Sequence, residues 1–580
     1  NLSVHARCFS RRLLDKDFLS EEDAKDSRLR WSLGIKNPHK DWGVWRVVFP
    51  RVAIGPFSKD MRVLIPQAAG VVKKDIWRKP VRFKGTYPSG WTAMQFLAVY
   101  DAAGKTGLYV AAHDGEAHTK DIIAETDPQR RQLILAFDHP APDMSAPGGG
   151  FKLNGPVEWR LFRGDWFDAC RIYRDWVRKE AKWYPKLTDD GRADTPRWMR
   201  ELCLWGLLGG GAEYATKTGR RFAEVMQMPV GFHWYSWHRI PFDNDYPHYF
   251  PPKKGFKDAV AALQGMTDTP AYVMPYINGR LWDTRDRGAK DFEFTRLARP
   301  AATKDIHGKV HTETYGSKEA DGSKVTLAAM CPATKLWQDR VKGIVLRLMK
   351  DYGTKAVYID QIAAARPRLC FDASHGHPLG GGGWWVEAYG KLLTDIRKAM
   401  PPGCAVTTEC NAEPYVRHFD GYLTWHWQYD GQVPAFPAVY GGAIQMFGRA
   451  YRLRLRLVRY FHAGQMTRPP KLAGRVPTVT ADWQWHGVWP VTTDAVLTGA
   501  WELPKEKKLA LIFVNVSDKP VTASVGFDAA AYGLAGGKVQ VTKVTSAGRE
   551  QTTRQAAKLV REITFEPGEA WAWKIVAAGP

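Results

Sequence analysis

Two acidic residues each close an apolar run. Tyr358-Ile359-Asp360-Gln361 ends one, and Thr407-Thr408-Glu409-Cys410-Asn411 ends the other. Carboxylates held at the ends of neighbouring strands suit combined nucleophilic and acid–base chemistry: one attacks an electrophilic carbon while the other moves a proton. Adjacent strands lie ~4.8 Å apart. That spacing suits the ~5–5.5 Å carboxylate separation that accompanies cleavage of a glycosidic bond with retention. Other carboxylates compete for these roles. Asp420 precedes the next apolar run, which points it to the opposite rim. Asp430 follows that run, and Glu413 becomes the alternative acid if the Glu409 strand runs longer.

The same reading of strand ends collects polar and aromatic partners. Trp234, Trp237, His238 and Asp243 follow one run, Tyr276 and Asn278 close another, and Gln361 follows Asp360. Trp425 and His426 follow a fourth, and His375 and His377 stand in the loop after Gln361. Together they are expected to line a substrate site. Indole faces suit the apolar C–H faces of sugar rings.

Other chemistries find less support. Cys370, Asp372, His375 and His377 invite a metal, but their spacing matches no common zinc pattern. Asp243-Asn244-Asp245 lacks the remainder of a calcium loop. No metal and no organic cofactor is therefore expected. A serine nucleophile lacks its G-x-S-x-G elbow. Cys331, Cys370 and Cys410 each read more simply as buried or loop thiols.

Positioning these residues requires repeated strand–helix units. Apolar runs at 202–208, 230–235, 271–277, 356–359, 405–408, 421–425, 436–440 and 461–465 read as strands. Helical periodicity fills 220–228, 256–263, 334–352, 384–400 and 443–460. Eight strands alternating with helices match a (β/α)8 TIM barrel, whose active site lies at the C-terminal ends of the strands. A doubly wound sheet would announce itself with a phosphate-binding glycine fingerprint. Gly206-Leu207-Leu208-Gly209-Gly210-Gly211 has neither that spacing nor a P-loop lysine. The expected class is thus α/β, with the barrel at 200–474. An N-terminal β-sandwich at 1–163, a helical linker at 164–199 and a small C-terminal β-sandwich at 475–580 flank it.

Composition narrows the partners. The 580 residues hold 44% hydrophobic and 25% charged residues, which excludes a mostly disordered chain. The 83 Lys and Arg against 60 Asp and Glu leave a net charge of +23, which suits an anionic partner or simply a solvated basic surface. No basic run or nucleic-acid motif accompanies the charge, so nucleic acid is not expected. The 25 Trp, 22 Tyr and 25 Phe point instead to an oligo- or polysaccharide. Seven cysteines without a C-x-x-C argue against a disulfide framework. No run is long and apolar enough to span a membrane. The expected location is secreted or periplasmic, with a leader removed. The rival to a hydrolase is a noncatalytic carbohydrate- or polyanion-binding protein on a barrel scaffold.

Tyr358-Ile359-Asp360-Gln361-Ile362, His375-Gly376-His377-Pro378, Thr408-Glu409 and Val433-Pro434-Ala435-Phe436-Pro437-Ala438-Val439-Tyr440 carry a resemblance. The sequence resembles a bacterial glycoside-hydrolase-type family without settled function. More distantly it is similar to the endo-α-N-acetylgalactosaminidases and the α-amylase superfamily. The resemblance implies a nucleophilic Asp360, an acid/base Glu409 and an α-linked substrate, galactose-type or anionic. It departs from the α-amylase pattern at Tyr358, where an Arg is expected, and after Tyr440, where Gly441-Gly442 replaces a His-Asp pair.

Overall fold

The computed structural model describes residues 3–10, 28–55, 58–287, 293–423, 430–443, 445–447, 452–482, 490–534 and 537–578. They fall into two compact units. One joins Asn1–Tyr184 to Gly206–Leu423, and the other joins Pro185–Trp205 to Thr424–Pro580. These limits differ from the sequence-derived ones: the N-terminal β-structure shares a unit with the parallel strands.

The N-terminal part of the first unit is two antiparallel sheets, one of eight strands and one of four. The helix Trp166–Glu180 follows. Asp165 caps it by accepting from Phe167 N, and Asp168 completes a capping box. Its buried face carries Cys170, Tyr173, Trp176 and Val177, the periodicity visible in the sequence, and Tyr173 stacks on Phe96 at 4.5 Å.

The remainder of this unit is a parallel half-barrel. Its strands are β1 (Trp205–Leu208), β2 (Val230–Trp234), β3 (Ala271–Asn278), β4 (Ala356–Asp360), β5 (Ala405–Glu409) and β6 (Gly421–Leu423), hydrogen-bonded in that order. Pairing is parallel from β2 to β6. The helices between them are α1 (Ala212–Met226), α2 (Phe256–Gln264), α3 (Lys335–Lys350) and α4 (Trp384–Ala399). Every residue of β2 and β4 is buried, as expected of parallel strands covered on both faces. On the helix side, Trp337 of α3 and Tyr389 of α4 both donate to the Gly279 carbonyl, at 3.2 and 3.3 Å.

Two expected strands are not strands at those positions. Residues 436–440 lie in the short helix Ala435–Tyr440. A five-residue apolar run fits a buried helical turn as well as a strand, and Pro437 sits harmlessly in a first turn. Residues 461–463 end the helix Arg452–Ala463, and Gln465–Met466 pairs antiparallel with Trp501 and Glu502 instead of joining the parallel array. Within the first unit the described residues therefore form a parallel half-barrel, and a closed eight-stranded barrel is not shown.

The second unit holds a C-terminal sandwich. A six-stranded sheet faces a three-stranded one around Leu511, Phe513, Phe565, Trp571 and Trp573. Among the described residues, no helix is long and apolar enough to cross a membrane.

Candidate carboxylate site

The parallel register places the central residues. Tyr276 and Asn278 of β3 lie beside Tyr358 and Asp360 of β4, and Tyr358 lies beside Thr407 of β5. Side chains two apart share a face. Hence Tyr276, Asn278, Tyr358, Asp360, Thr407 and Glu409 all lie on one face of the sheet. Asp360 and Glu409 are the last residues of β4 and β5, so their carboxyls leave adjacent strands at the same rim.

Asp360 is buried and gathers hydroxyls. Tyr276 donates to its Oδ2 at 3.0 Å, and Tyr358 donates to its Oδ1 at 3.2 Å. The Asn278 amide reaches Oδ2 at 3.4 Å. Burial pushes the Asp360 carboxyl up to about 6, and the charge of Asp243 acts the same way. The bonds from Glu409, Tyr276 and Tyr358 oppose that rise by favouring the charged form. The net effect is a carboxyl held above the ordinary carboxylate range beside a second acidic side chain.

Asp243 completes the surroundings. Burial raises its carboxyl too, and Tyr246 O–H lies 3.3 Å from its Oδ1. Tyr246 also reaches Tyr276 O–H at 3.3 Å, so Asp243 and Asp360 are linked through two phenols. Gln361 lies in the left-handed region at φ 66°. It accepts from Arg280 at 3.2 Å and donates to Tyr315 at 2.9 Å. Glu313 receives both Arg280 guanidinium nitrogens, at 2.8 and 2.7 Å.

The structure thus brings together Asp360, Glu409, Tyr276, Asn278, Asp243 and Gln361. Others go elsewhere. Trp234 is fully buried against Phe256, and Trp237 is fully buried with its indole N–H on the Tyr276 carbonyl at 2.8 Å. These two indoles pack the wall, so the expectation that they face substrate is corrected. His238 is buried beside Trp237 and Tyr249 with Nδ1 on the Ile240 carbonyl at 2.8 Å, and burial lowers it to about 4. His375 and His377 turn toward Cys331 and Cys370. Trp425 and His426 lie outside the described residues.

The alternative acids have other partners. Asp420 is buried, binds Arg397 at 3.0 Å and accepts from Val406 N at 2.9 Å. Glu413 is fully buried and accepts from Tyr173 at 2.7 Å, on the N-terminal side of the unit. Asp430 is exposed.

Sequence reasoning passed over several aromatics. His233 stacks on Tyr358 at 4.8 Å, and Tyr235 stacks on Tyr276 at 5.1 Å. Burial raises the Tyr235 phenol, with the charges of Asp360 and Glu409 adding to it. Phe242 lies 5.2 Å from Tyr276 yet is 47% exposed, which makes it an open aromatic face beside the carboxylates. The two-residue alternation along each strand carried this signal: Tyr358 is two before Asp360, and Tyr276 is two before Asn278.

Residues 151–451 match the model of a family described as a domain of unknown function, DUF6259. A Bacteroides thetaiotaomicron protein provisionally named a glycoside hydrolase is 29% identical over 433 residues, 74% of this chain and 61% of that protein. A Monosiga brevicollis protein named in the same way is 30% identical over 404 residues, 63% of this chain and 33% of its own length. The chain thus spans less than two thirds of either relative. Among solved structures, the α-N-acetylgalactosaminidase NagBb of Bifidobacterium bifidum in its GalNAc complex superposes with a TM-score of 0.60 at 13% identity, covering 88% of this chain and 89% of that one. The GH36 α-galactosidase AgaA of Geobacillus stearothermophilus, in complex with raffinose, gives 0.54 at 9% identity, covering 95% and 80%. Both likenesses are of fold.

Proposed function

The chain belongs to the DUF6259 family, and on that premise we propose that it is a retaining glycoside hydrolase cleaving an α-linked glycan of galactose type. The observation that carries the reading is the placement of Asp360 and Glu409 as the last residues of adjacent parallel strands. An inverting enzyme needs ~6.5–9.5 Å between its carboxyls to seat a water. Carboxylates that end strands ~4.8 Å apart suit the ~5–5.5 Å separation of retaining enzymes instead. The relatives' names support the reaction class, and the fold likeness to an α-N-acetylgalactosaminidase and an α-galactosidase supports the α-galactose type.

In the proposed reaction, Asp360 Oδ attacks the anomeric carbon as the glycosidic C–O bond breaks. Glu409 gives its proton to the leaving oxygen. A glycosyl ester on Asp360 results. Glu409, now a carboxylate, takes a proton from water, whose oxygen attacks the anomeric carbon and frees Asp360. Each inversion undoes the other, so the α-anomer is released. Tyr276 and Tyr358 hold Asp360 in place and favour its charge. Asn278, Gln361, Asp243 and the open face of Phe242 are assigned to the sugar.

The test is hydrolysis of a panel of aryl α-glycosides and natural glycans, neutral and sulfated, by wild type and by Asp360→Asn. Wild type is expected to cleave an α-galactoside or α-N-acetylgalactosaminide, with the α-anomer appearing first by proton NMR. Asp360→Asn should lose at least about 10³-fold in kcat. An unchanged rate in that variant, or first appearance of the β-anomer, refutes the mechanism. Glycan binding by a wild type that cleaves nothing in the panel would favour the noncatalytic reading.

A further inference from the structure

Away from the carboxylates, four side chains from separate stretches of chain converge. Cys331 follows the strand Leu327–Ala329 and precedes α3. Cys370 bridges to Gly380, His375 ends the short helix Ala373–His375, and His377 follows it. One donor atom from each lies within 4.8 Å of the other three. Both cysteines are fully buried, and His375 is 8% exposed.

The hydrogen bonding fixes which imidazole nitrogens are available. The His375 Nε2–H donates to the Pro300 carbonyl at 2.7 Å, since a carbonyl only accepts. That leaves a lone pair on Nδ1, which sits 3.4 Å from Cys370 Sγ. The His377 Nδ1–H donates to the Pro378 carbonyl at 2.8 Å. Its buried Nε2 has no hydrogen-bond partner. Each ring therefore offers one unprotonated nitrogen and spends the other on a backbone carbonyl, the usual outer support of a metal-bound histidine.

We propose that Cys331, Cys370, His375 and His377 bind one transition-metal ion of zinc type, tetrahedrally, through two thiolates and two imidazole nitrogens. Zn–S near 2.3 Å and Zn–N near 2.0–2.1 Å place tetrahedral donors about 3.3–3.8 Å apart. Donors already within 4.8 Å of one another need only a small inward movement. Four protein ligands leave no open position for water, so the site is structural. It ties the loop that returns from Asp360 to the start of α3. The same loop carries Arg368, which pairs with Glu313, and Glu313 in turn binds Arg280 beside Gln361.

The neighbouring-thiol alternative is a Cys331–Cys370 disulfide. It would leave the two imidazole lone pairs facing sulfur with nothing to bind, which is why the metal is favoured.

The deciding measurement is metal content of the full chain, expressed with zinc and passed through gel filtration without chelator. It is independent of glycosidase activity, so it stands or falls apart from the proposed function. About one zinc per chain is expected, released when the thiols are blocked with a mercurial. Cobalt replacement should give thiolate-to-cobalt charge-transfer bands and the intense d–d bands of a tetrahedral site. Cys370→Ser and His377→Ala should each lower zinc affinity by 10-fold or more. If these variants fail to fold, the wild-type cobalt spectrum decides. Metal-free wild type, an octahedral cobalt spectrum, unchanged affinity in both variants, or a Cys331–Cys370 disulfide in a non-reducing peptide map would each overturn the proposal.

Discussion

The phenol of Tyr276 donates a 3.0 Å hydrogen bond to Oδ2 of Asp360 from the neighbouring parallel strand. That bond is one of three that favour the ionised carboxyl against burial. In Tyr276→Phe the bond is gone and the burial remains, so the Asp360 value should rise above its present level of about 6. As the proposed nucleophile, Asp360 must be charged to attack. The acid limb of the kcat/KM profile, expected near pH 6 in wild type, should therefore move to higher pH. At pH 7 the ionised fraction, and the rate with it, should fall about 2- to 15-fold, because a hydrogen bond to a charged group contributes ~1.5–3 kcal/mol. A pH–rate profile of both proteins checks this. An unmoved limb with lowered kcat would assign Tyr276 to the sugar instead.

Asp360→Asn should stabilise the protein while it abolishes turnover. The folded-state value near 6 lies above the ordinary 3.8. A raised carboxylate favours the folded state only while protonated. Its contribution is full below pH 3.8 and is lost as pH rises through 6, after which the buried charge works against folding. The neutral amide has no such penalty. At pH 7.5 the variant should gain about 1–3 kcal/mol, and near pH 4 the gain should vanish. Thermal unfolding at the two pH values measures it. A lower melting temperature at pH 7.5 would show that the lost bonds from Glu409 and the tyrosines outweigh the charge.

Much of this arrangement was legible in the sequence. Strands β2 to β5 were read to within a residue or two, because each is an apolar run bounded by turn residues. The placement of Asp360 and Glu409 at adjacent strand ends was legible because parallel strands present their last residues at one rim. Residues 436–440 were misread since a short apolar run does not declare its period. Trp234 and Trp237 were misplaced for a related reason: composition marks an indole as useful but not which side of the strand it leaves. Alternation would have sorted Trp234, which is out of phase with His233 and Tyr235, the two that face Tyr358 and Tyr276; Trp237 lies past the end of the strand, where alternation does not apply. The Cys331 partner of the His375 loop was invisible, since no spacing rule links positions so far apart.

Gly90 belongs to the N-terminal sheets yet touches the rim. Its N–H donates to the Ala364 carbonyl at 2.9 Å, and a Cβ there would stand 2.5 Å from Cys410 Cβ and 3.2 Å from Ala364 Cα. Cys410 follows Glu409 directly and is itself left-handed, at φ 56°. Gly90→Ala should push Cys410, and with it Glu409, out of register, lowering kcat by about 10-fold with a loss of about 1–3 kcal/mol in stability. Cys410→Gly removes the opposing side chain at a position where glycine is unstrained. The double variant should therefore recover most of the rate. A double-mutant cycle in kcat reads the coupling, and strict additivity would mean that the contact does not act through Glu409.

Asp114 and Lys120 form a buried ion pair in the N-terminal sheets, at 2.9 Å, with side chains only 2% and 1% exposed. Burial alone would raise the Asp114 carboxyl, but Lys120, His118 and the hydrogen bonds around them hold it far below its usual range. Lys120 spends its other donors on Gln95 at 3.0 Å and the His118 carbonyl at 2.6 Å. Asp114→Ala leaves that ammonium buried without its carboxylate and should cost about 3–5 kcal/mol. Adding Lys120→Met should restore part of the loss, because the uncompensated charge goes with it. The sign with pH follows from the depressed value: the pair's contribution is complete above the ordinary 3.8 and declines as pH falls below it. Denaturant unfolding at pH 7 and pH 3 should therefore show a gap between wild type and Asp114→Ala that narrows in acid. A gap equal at both values would mean that the cost comes from lost packing and backbone bonds, not from the charge.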